Sequence, residues 1–153
     1  HLGGGLTHRL TRNDALMIKE NDLASMGDSD DGNDKKIAEF IQSLDSSQLE
    51  SFIEIEVRNE KEAITAAAMW QQSQQRDDSK LVVMLDNFGP ERCKEMVAQL
   101  DDMGLRNAVW LEASGNISFE TLDEWFECGV DVISTSAINR GVKPLDISMI
   151  IGD

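Results

Sequence analysis

Apolar residues gather in five short runs, Leu16 to Glu20, Phe52 to Val57, Leu81 to Leu85, Ala108 to Leu111 and Val130 to Thr135, separated by stretches of helical periodicity. Runs this short and this continuously apolar predict strands covered on both faces. The stretches between them carry helix-start signals: Asn59 with Glu62 three residues on, Pro90 at a first helical position, and Ser118 ahead of Phe119, Leu122, Trp125 and Phe126. Another amphipathic face, Ile37, Phe40, Ile41 and Leu44, precedes the second run. The order βαβαβαβαβ implies an α/β protein with crossover connections and a parallel sheet, either open and doubly wound or part of a barrel. Five units cannot close an eight-stranded barrel, so on the barrel reading residues 1–153 are the C-terminal five βα units of one catalytic domain.

Two polar segments interrupt this pattern. Gly27 to Asp34 is acidic and glycine-bearing; it lacks the downstream bidentate glutamate of an EF-hand and is expected to be a solvated loop. Gln71 to Ser79 is expected to be a surface extension of the preceding helix. No repeat is visible beyond the βα period.

Composition narrows the partners. Acidic residues outnumber basic ones 29 to 14, for a net charge of −15, which disfavours nucleic acid and anionic membrane because both carry the same sign. An anionic ligand then requires a local basic pocket or a metal ion. The only two cysteines, Cys93 and Cys128, belong to no CxxC motif, so neither a disulfide framework nor a zinc site is expected, and a reducing cytoplasm fits. No apolar stretch approaches the roughly 18 residues a membrane span needs. The chain opens at His1-Leu2-Gly3-Gly4-Gly5, inside what reads as a motif, which leads to the expectation of a longer polypeptide and of negligible turnover by this piece alone.

The ends of the strands carry the candidate chemistry. Lys19 and Glu20 follow the first, Glu54 and Glu56 lie in the second, and Asp86 and Asn87 follow the third; Glu112 and Ser114-Gly115-Asn116 follow the fourth, and Ser134 to Arg140 the fifth. Charged groups at the mouths of apolar strands are costly unless paired or in use, so this ring reads as a site. Glu54 and Glu112 are the two best suited to be structural ion pairs plugging the interior instead. Ser114-Gly115-Asn116 and Ser134-Thr135-Ser136-Ala137 precede predicted helix starts, where small residues let a phosphate approach backbone N–H groups, with Arg140 or Lys143 as countercharge. Upstream, Gly3-Gly4-Gly5-Leu6-Thr7-His8-Arg9 sets a histidine beside an arginine able to clamp a carboxylate or phosphate with two hydrogen bonds.

Taken in order, Gly3 to Arg9, Leu16-Met17-Ile18-Lys19-Glu20-Asn21, Ile53-Glu54-Ile55-Glu56-Val57, Met84-Leu85-Asp86-Asn87, Leu111 to Asn116 and Leu145-Asp146-Ile147-Ser148 closely resemble the quinolinate phosphoribosyltransferase family. The resemblance implies a parallel βα barrel of that family's type. It implies the joining of quinolinate to phosphoribosyl pyrophosphate, with Mg²⁺, to give nicotinate mononucleotide, pyrophosphate and CO₂ in NAD biosynthesis, by a homodimer or higher homo-oligomer of the full-length chain. By position, His8 and Arg9 resemble the residues that grip the quinolinate carboxylates, with Lys19 between that ligand and the pyrophosphate. Glu56 and Asp86 resemble the pair that contacts the ribose hydroxyls and meets Mg²⁺ indirectly through the pyrophosphate. Ser114, Gly115 and Asn116, with Ser136, Ala137 and Arg140, match the 5′-phosphate cradle.

Two departures stand out: Asp22 replaces a common histidine, and Arg140 falls where many members have histidine or lysine. The resemblance places the family's N-terminal domain and early-barrel Arg-Lys-Thr segment upstream of His1. Rival readings are a molybdenum-transport-associated phosphoribosyltransferase relative, a class I aldolase-like barrel with Lys19 as Schiff-base nucleophile, and a non-catalytic partner subunit. Glu20 beside Lys19 opposes the lowered lysine pKa that the aldolase reading needs.

Overall fold

The computed structural model describes residues 5–9, 11, 14–26, 32–44, 52–73 and 81–138. Five strands, β1 (Ala15–Ile18), β2 (Phe52–Val57), β3 (Leu81–Asp86), β4 (Val109–Ser114) and β5 (Val132–Ser134), form one sheet in the order β1-β2-β3-β4-β5, and every neighbouring pair is parallel. Sequential order is the order of a βα barrel; a doubly wound sheet reverses direction partway. Between the strands lie helices α1 (Glu20–Ala24) and α2 (Asn33–Ser43), then α3 (Glu60–Gln72) and α4 (Pro90–Asp102).

The helices begin where local chemistry supplies their unpaired N–H groups with acceptors. Asn59 Oδ1 accepts from the Glu62 N–H at 3.0 Å, and the Glu62 carboxylate accepts from the Arg58 N–H and the Asn59 amide, each at 2.8 Å. This is the capping pair the sequence announces, and it fixes the turn out of β2. α4 starts with Pro90 after Gly89, whose φ of +78° favours glycine. α1 starts directly after β1 because the Asp22 carboxylate accepts from the Lys19 N–H at 2.9 Å. The residue that departs from the family pattern is therefore the cap of this helix.

Alternation along each strand divides the sheet into two faces. Ile53, Ile55, Val57, Leu81, Val83, Leu85, Val109, Leu111 and Ala113 share the outer face, all buried, in one core with Ile37 and Ile41 of α2, Ala63, Ala66, Ala67 and Trp70 of α3, and Met96 and Leu100 of α4. The three buried alanines of α3 let that helix lie close to the strands. The inner face is chemically different. Its rows, read from the register, are Met17, Glu54, Val82 and Trp110, then Glu56, Met84, Glu112 and Val132, then Asp86, Ser114 and Ser134.

Several predicted boundaries shift. The first run ends at Ile18 and not at Glu20, which opens α1; the Asp22 cap takes the chain out of the sheet at Lys19. The fourth strand spans Val109–Ser114 and not Ala108 to Leu111, because Glu112 stays in the ladder opposite Met84 with its side chain on the inner face. The fifth is only Val132–Ser134. After Ser118 no α-helix forms; the Thr121 hydroxyl accepts from the Ser118 N–H, and a single 3₁₀ turn, Leu122–Trp125, buries Trp125 before Gly129 turns the chain at a φ of +81°. Cys93 is buried in α4, and Cys128 follows that 3₁₀ turn, both as free thiols. Of the two polar segments, Gly32 is the N-cap of α2, which takes up Asn33 and Asp34, and Gln71 and Gln72 end α3. Positions 27–31 and 74–79 lie outside the described residues.

Candidate active site

Because all five strands run the same way, their C-terminal ends fall on one edge, where the chain leaves each strand with a polar residue. Lys19 follows β1 and its Nζ pairs with Glu56 Oε2, from the last inner-face position of β2. Arg58, just past β2, pairs with Glu20 and reaches Asp86 Oδ2 at 3.9 Å. Asp86 ends β3 opposite Ser114, which ends β4 opposite Ser134. The mouth thus carries a chain of alternating charge, Lys19, Glu56, Arg58 and Asp86, that runs into two serines. Sequence reasoning places Lys19, Glu56, Asp86 and Ser114 together here but misses Arg58. An arginine right after an acidic strand, in so acidic a chain, was the signal available.

The loop after β4 is held in shape by β3. The Asn87 N–H donates to the Ser114 carbonyl at 2.9 Å, and the Asn116 amide donates to Asn87 Oδ1 at 3.0 Å. Asn87 and Asn116 both take positive φ, +57° and +55°, as asparagine tolerates. Gly115 lies between them at φ +98°, and a Cβ there would meet Asn87 Oδ1 at 2.3 Å and the Asn87 backbone nitrogen at 2.9 Å. Gly115→Ala should therefore destabilise the protein by about 2–3 kcal/mol, because strained backbone and a clash with main chain act together. Denaturant unfolding measures it, and a loss below about 0.5 kcal/mol would mean that the loop rearranges freely.

The loop after β5 joins this one. The Thr135 hydroxyl donates to the Ile117 carbonyl and accepts from the Ala137 N–H at 3.0 Å, so Ser136 and Ala137 stand beside Ser114 to Asn116. The expected helix N-terminus behind Ser114-Gly115-Asn116 is absent, since the 3₁₀ turn begins only at Leu122. A cleft of about 260 Å³ opens on the other side of the glycine turn, between the loop after β3 and the 3₁₀ turn, with Asn87, Gly89, Gly115, Asn116 and Trp125 in its wall; Ser114, Ser136 and Ala137 do not line it. Arg140, Lys143 and the Leu145 to Ser148 motif lie outside the described residues.

His8 and Arg9 approach from another direction. His8 Nε2 lies 2.8 Å from Glu54 Oε2 and 3.5 Å from Glu112 Oε2, and its ring stands edge-on to Phe52. Arg9 Nη1 donates to the Ala15 carbonyl at 3.5 Å, at the start of β1. Ala15 and Lys19 are about 13 Å apart along an extended chain, so this structure does not bring the Arg9 guanidinium to the Lys19 end. Glu54 and Glu112 are buried on the inner face, as interior acids rather than mouth residues. Burial pushes the Glu54 carboxyl up to about 8, and the Glu112 charge adds to the rise while Arg9 and Lys19 oppose it.

Parallel strands in sequential order, handing a lysine, two acids and a serine to one edge, define the class as a βα-barrel-type α/β protein, in which that edge is where functional residues gather. The chain belongs to the quinolinate phosphoribosyl transferase family: the family's model, described as "Quinolinate phosphoribosyl transferase, C-terminal domain", matches residues 1–150. It is 34% identical over 148 residues to a probable nicotinate-nucleotide pyrophosphorylase (carboxylating) of Archaeoglobus fulgidus, covering 97% of this chain and 50% of that protein. It is 32% identical over 155 residues to a quinolinate phosphoribosyltransferase (decarboxylating) 2, mitochondrial, of Nicotiana glauca, covering 97% and 41%. Among solved structures it is similar to the nicotinate-nucleotide pyrophosphorylase from Francisella tularensis, with 33% identity and a TM-score of 0.66 over 92% of this chain and 42% of that one. The chain spans about half the length of the curated relatives it matches.

Proposed function

We propose that this chain carries the phosphoribosyl-transfer face of an enzyme that joins quinolinate to phosphoribosyl pyrophosphate and releases pyrophosphate and CO₂ to leave nicotinate mononucleotide. The observation that carries the reading is the row of Lys19, Glu56, Arg58 and Asp86 at one strand edge, beside the Gly115 turn after β4. The sugar centre gains positive charge as pyrophosphate departs, and the Glu56 and Asp86 carboxylates stabilise it. Lys19 and Arg58 meet the opposite charge on the leaving group. Ser114, Gly115 and Asn116, with Ser136, Ala137 and Arg140, hold the 5′-phosphate, fixing the sugar for attack by the pyridine nitrogen. Arg9 clamps a quinolinate carboxylate, and His8 has its Nδ1 left for a second hydrogen bond. After transfer the positively charged ring nitrogen stabilises the electron pair that departing CO₂ leaves on the adjacent ring carbon, and a proton from solvent then bonds to that carbon.

Glu56 and Asp86 suit Mg²⁺ carried by the pyrophosphate. Each is already paired with a cation, and Mg²⁺ is commonly held by one or two carboxylates together with substrate phosphates and water. When bound, the ion neutralises the developing pyrophosphate charge. The same pairing disfavours the aldolase-like alternative, since the Lys19 Nζ is engaged by the Glu56 carboxylate. We take the enzyme to be a cytoplasmic homodimer or higher homo-oligomer that binds neither nucleic acid nor membrane. The oligomer follows only from the family resemblance; the net charge of −15 disfavours nucleic acid and anionic membrane, the two buried free cysteines fit a reducing cytoplasm, and no helix among the described residues is long and apolar enough to cross a membrane.

Titration of this chain with inorganic phosphate, followed by backbone amide NMR, tests the cradle. Shifts should appear first at Gly115, Asn116 and Ala137, with affinity lowered by about tenfold or more in Ser114→Ala. Silence at these amides, with shifts elsewhere, would overturn the phosphate assignment.

A further inference from the structure

The carboxylates of Glu54 and Glu112 lie on adjacent rows of the inner face, where water does not reach them; their side chains are 0% and 2% exposed. Neither Glu54 oxygen and not Glu112 Oε1 has a hydrogen-bond partner among the described residues. His8 Nε2 is close to both acids, but it offers at most one N–H and is not aligned for a hydrogen bond to Glu54. Of the neighbouring cations, Lys19 pairs with Glu56, and Arg9 makes only a long contact to the Ala15 carbonyl; neither donates to the Glu54 oxygens or to Glu112 Oε1. Two buried carboxyl groups beside one imidazole, with three of their four oxygens lacking a donor, are an arrangement that a bound cation completes.

The spacing matches such an ion. One ligand atom from each of His8, Glu54 and Glu112 falls within 4.8 Å of the others, the one such group of three among the described residues. Around a metal with bonds of about 2.1 Å, neighbouring ligand atoms sit roughly 3.0–3.4 Å apart in octahedral or tetrahedral geometry. The measured separations from Nε2, 2.8 Å and 3.5 Å, bracket that range. An imidazole nitrogen with two carboxylates suits Zn²⁺, Mn²⁺ or Fe²⁺, whereas Mg²⁺ and Ca²⁺ favour oxygen ligands alone.

We propose that His8, Glu54 and Glu112 form a site for a divalent transition-metal ion on the inner face of the sheet, separate from the strand-end acids Glu56 and Asp86. The ion neutralises both buried carboxylates and ties the loop that carries His8 and Arg9 to β2 and β4. Three protein donors leave the remaining positions to water. The site stands whether or not the transfer reaction does, because it makes no use of either substrate.

Mn²⁺ is the probe. Chelator-stripped protein, with no phosphoribosyl pyrophosphate present, should bind one Mn²⁺ per chain by electron paramagnetic resonance titration, and pulsed measurements should detect the ¹⁴N coupling of a directly bound imidazole. His8→Gln should abolish the nitrogen coupling while circular dichroism stays unchanged. Glu54→Gln and Glu112→Gln should each weaken Mn²⁺ binding at least tenfold, and Asp86→Asn should leave it within twofold. Absence of saturable binding, or binding without nitrogen coupling, overturns the proposal; so does binding that Asp86→Asn removes and Glu54→Gln spares.

Discussion

Asp86→Ala should weaken binding of Mg²⁺-loaded phosphoribosyl pyrophosphate by about a hundredfold, while quinolinate affinity changes by less than about threefold. The carboxylate ends β3 in the middle of the mouth, with Arg58 at 3.9 Å, and its loss leaves that arginine to Glu20 and strips the sugar side of one acid. Arg9→Ala should do the reverse, costing about 1.5–3 kcal/mol of quinolinate binding through loss of a charged carboxylate clamp. In the free protein Arg9 holds the Ala15 carbonyl at 3.5 Å, the outer limit of a hydrogen bond, so little opposes its release to a ligand. Separate calorimetric titrations of the two substrates decide the matter. Equal losses in both variants would mean that these residues form one structural network and not two half-sites.

The second large effect is on stability. With the folded-state pKa of Glu54 raised from 4.5 to about 8, the folded protein holds a proton that the unfolded chain has already released. The contribution is intact below about pH 4.5 and is lost progressively as pH rises to about 8, a fall on the order of 4 kcal/mol if nothing else compensates. The groups with lowered values, Asp34 beside Lys61 and Glu60 beside Arg92, titrate below this window and act in the opposite sense at acid pH. In chelator-containing buffer, stability should therefore decline from pH 5 to pH 8, and Glu54→Gln should flatten that decline and be the more stable protein at pH 8. Guanidinium unfolding at several pH values reads both. A profile unchanged by the substitution would mean that Glu54 is ionised at neutral pH through a partner other than a proton.

Much of the site was legible in the sequence because strand ends are local features. An apolar run followed by Lys19, by Asp86-Asn87 or by Ser114-Gly115-Asn116 marks a chain leaving a buried sheet, and parallel strands put all such exits on one edge. The end of β4 is less legible: a charge in a run reads as a strand terminus, whereas Glu112, facing inward toward His8, does not interrupt the ladder. The helix expected after Ser118 failed for a related reason. Phe119, Leu122, Trp125 and Phe126 have helical spacing, but only Leu122 and Trp125 turn toward the core, with Phe119 and Phe126 left exposed.

By itself the sequence determined the five strands, the starts of α3 and α4 and the residues offered at the strand ends, since alternation, capping and proline geometry act within a turn or two of chain. Tertiary structure alone decided that Arg58 bridges Glu20 and Asp86, that Asn87 shapes the turn at Gly115, and that His8 meets Glu54 and Glu112. These meetings depend on strand order and on register, where a shift of one residue would move every side chain of a strand to the opposite face, and no local pattern encodes that choice.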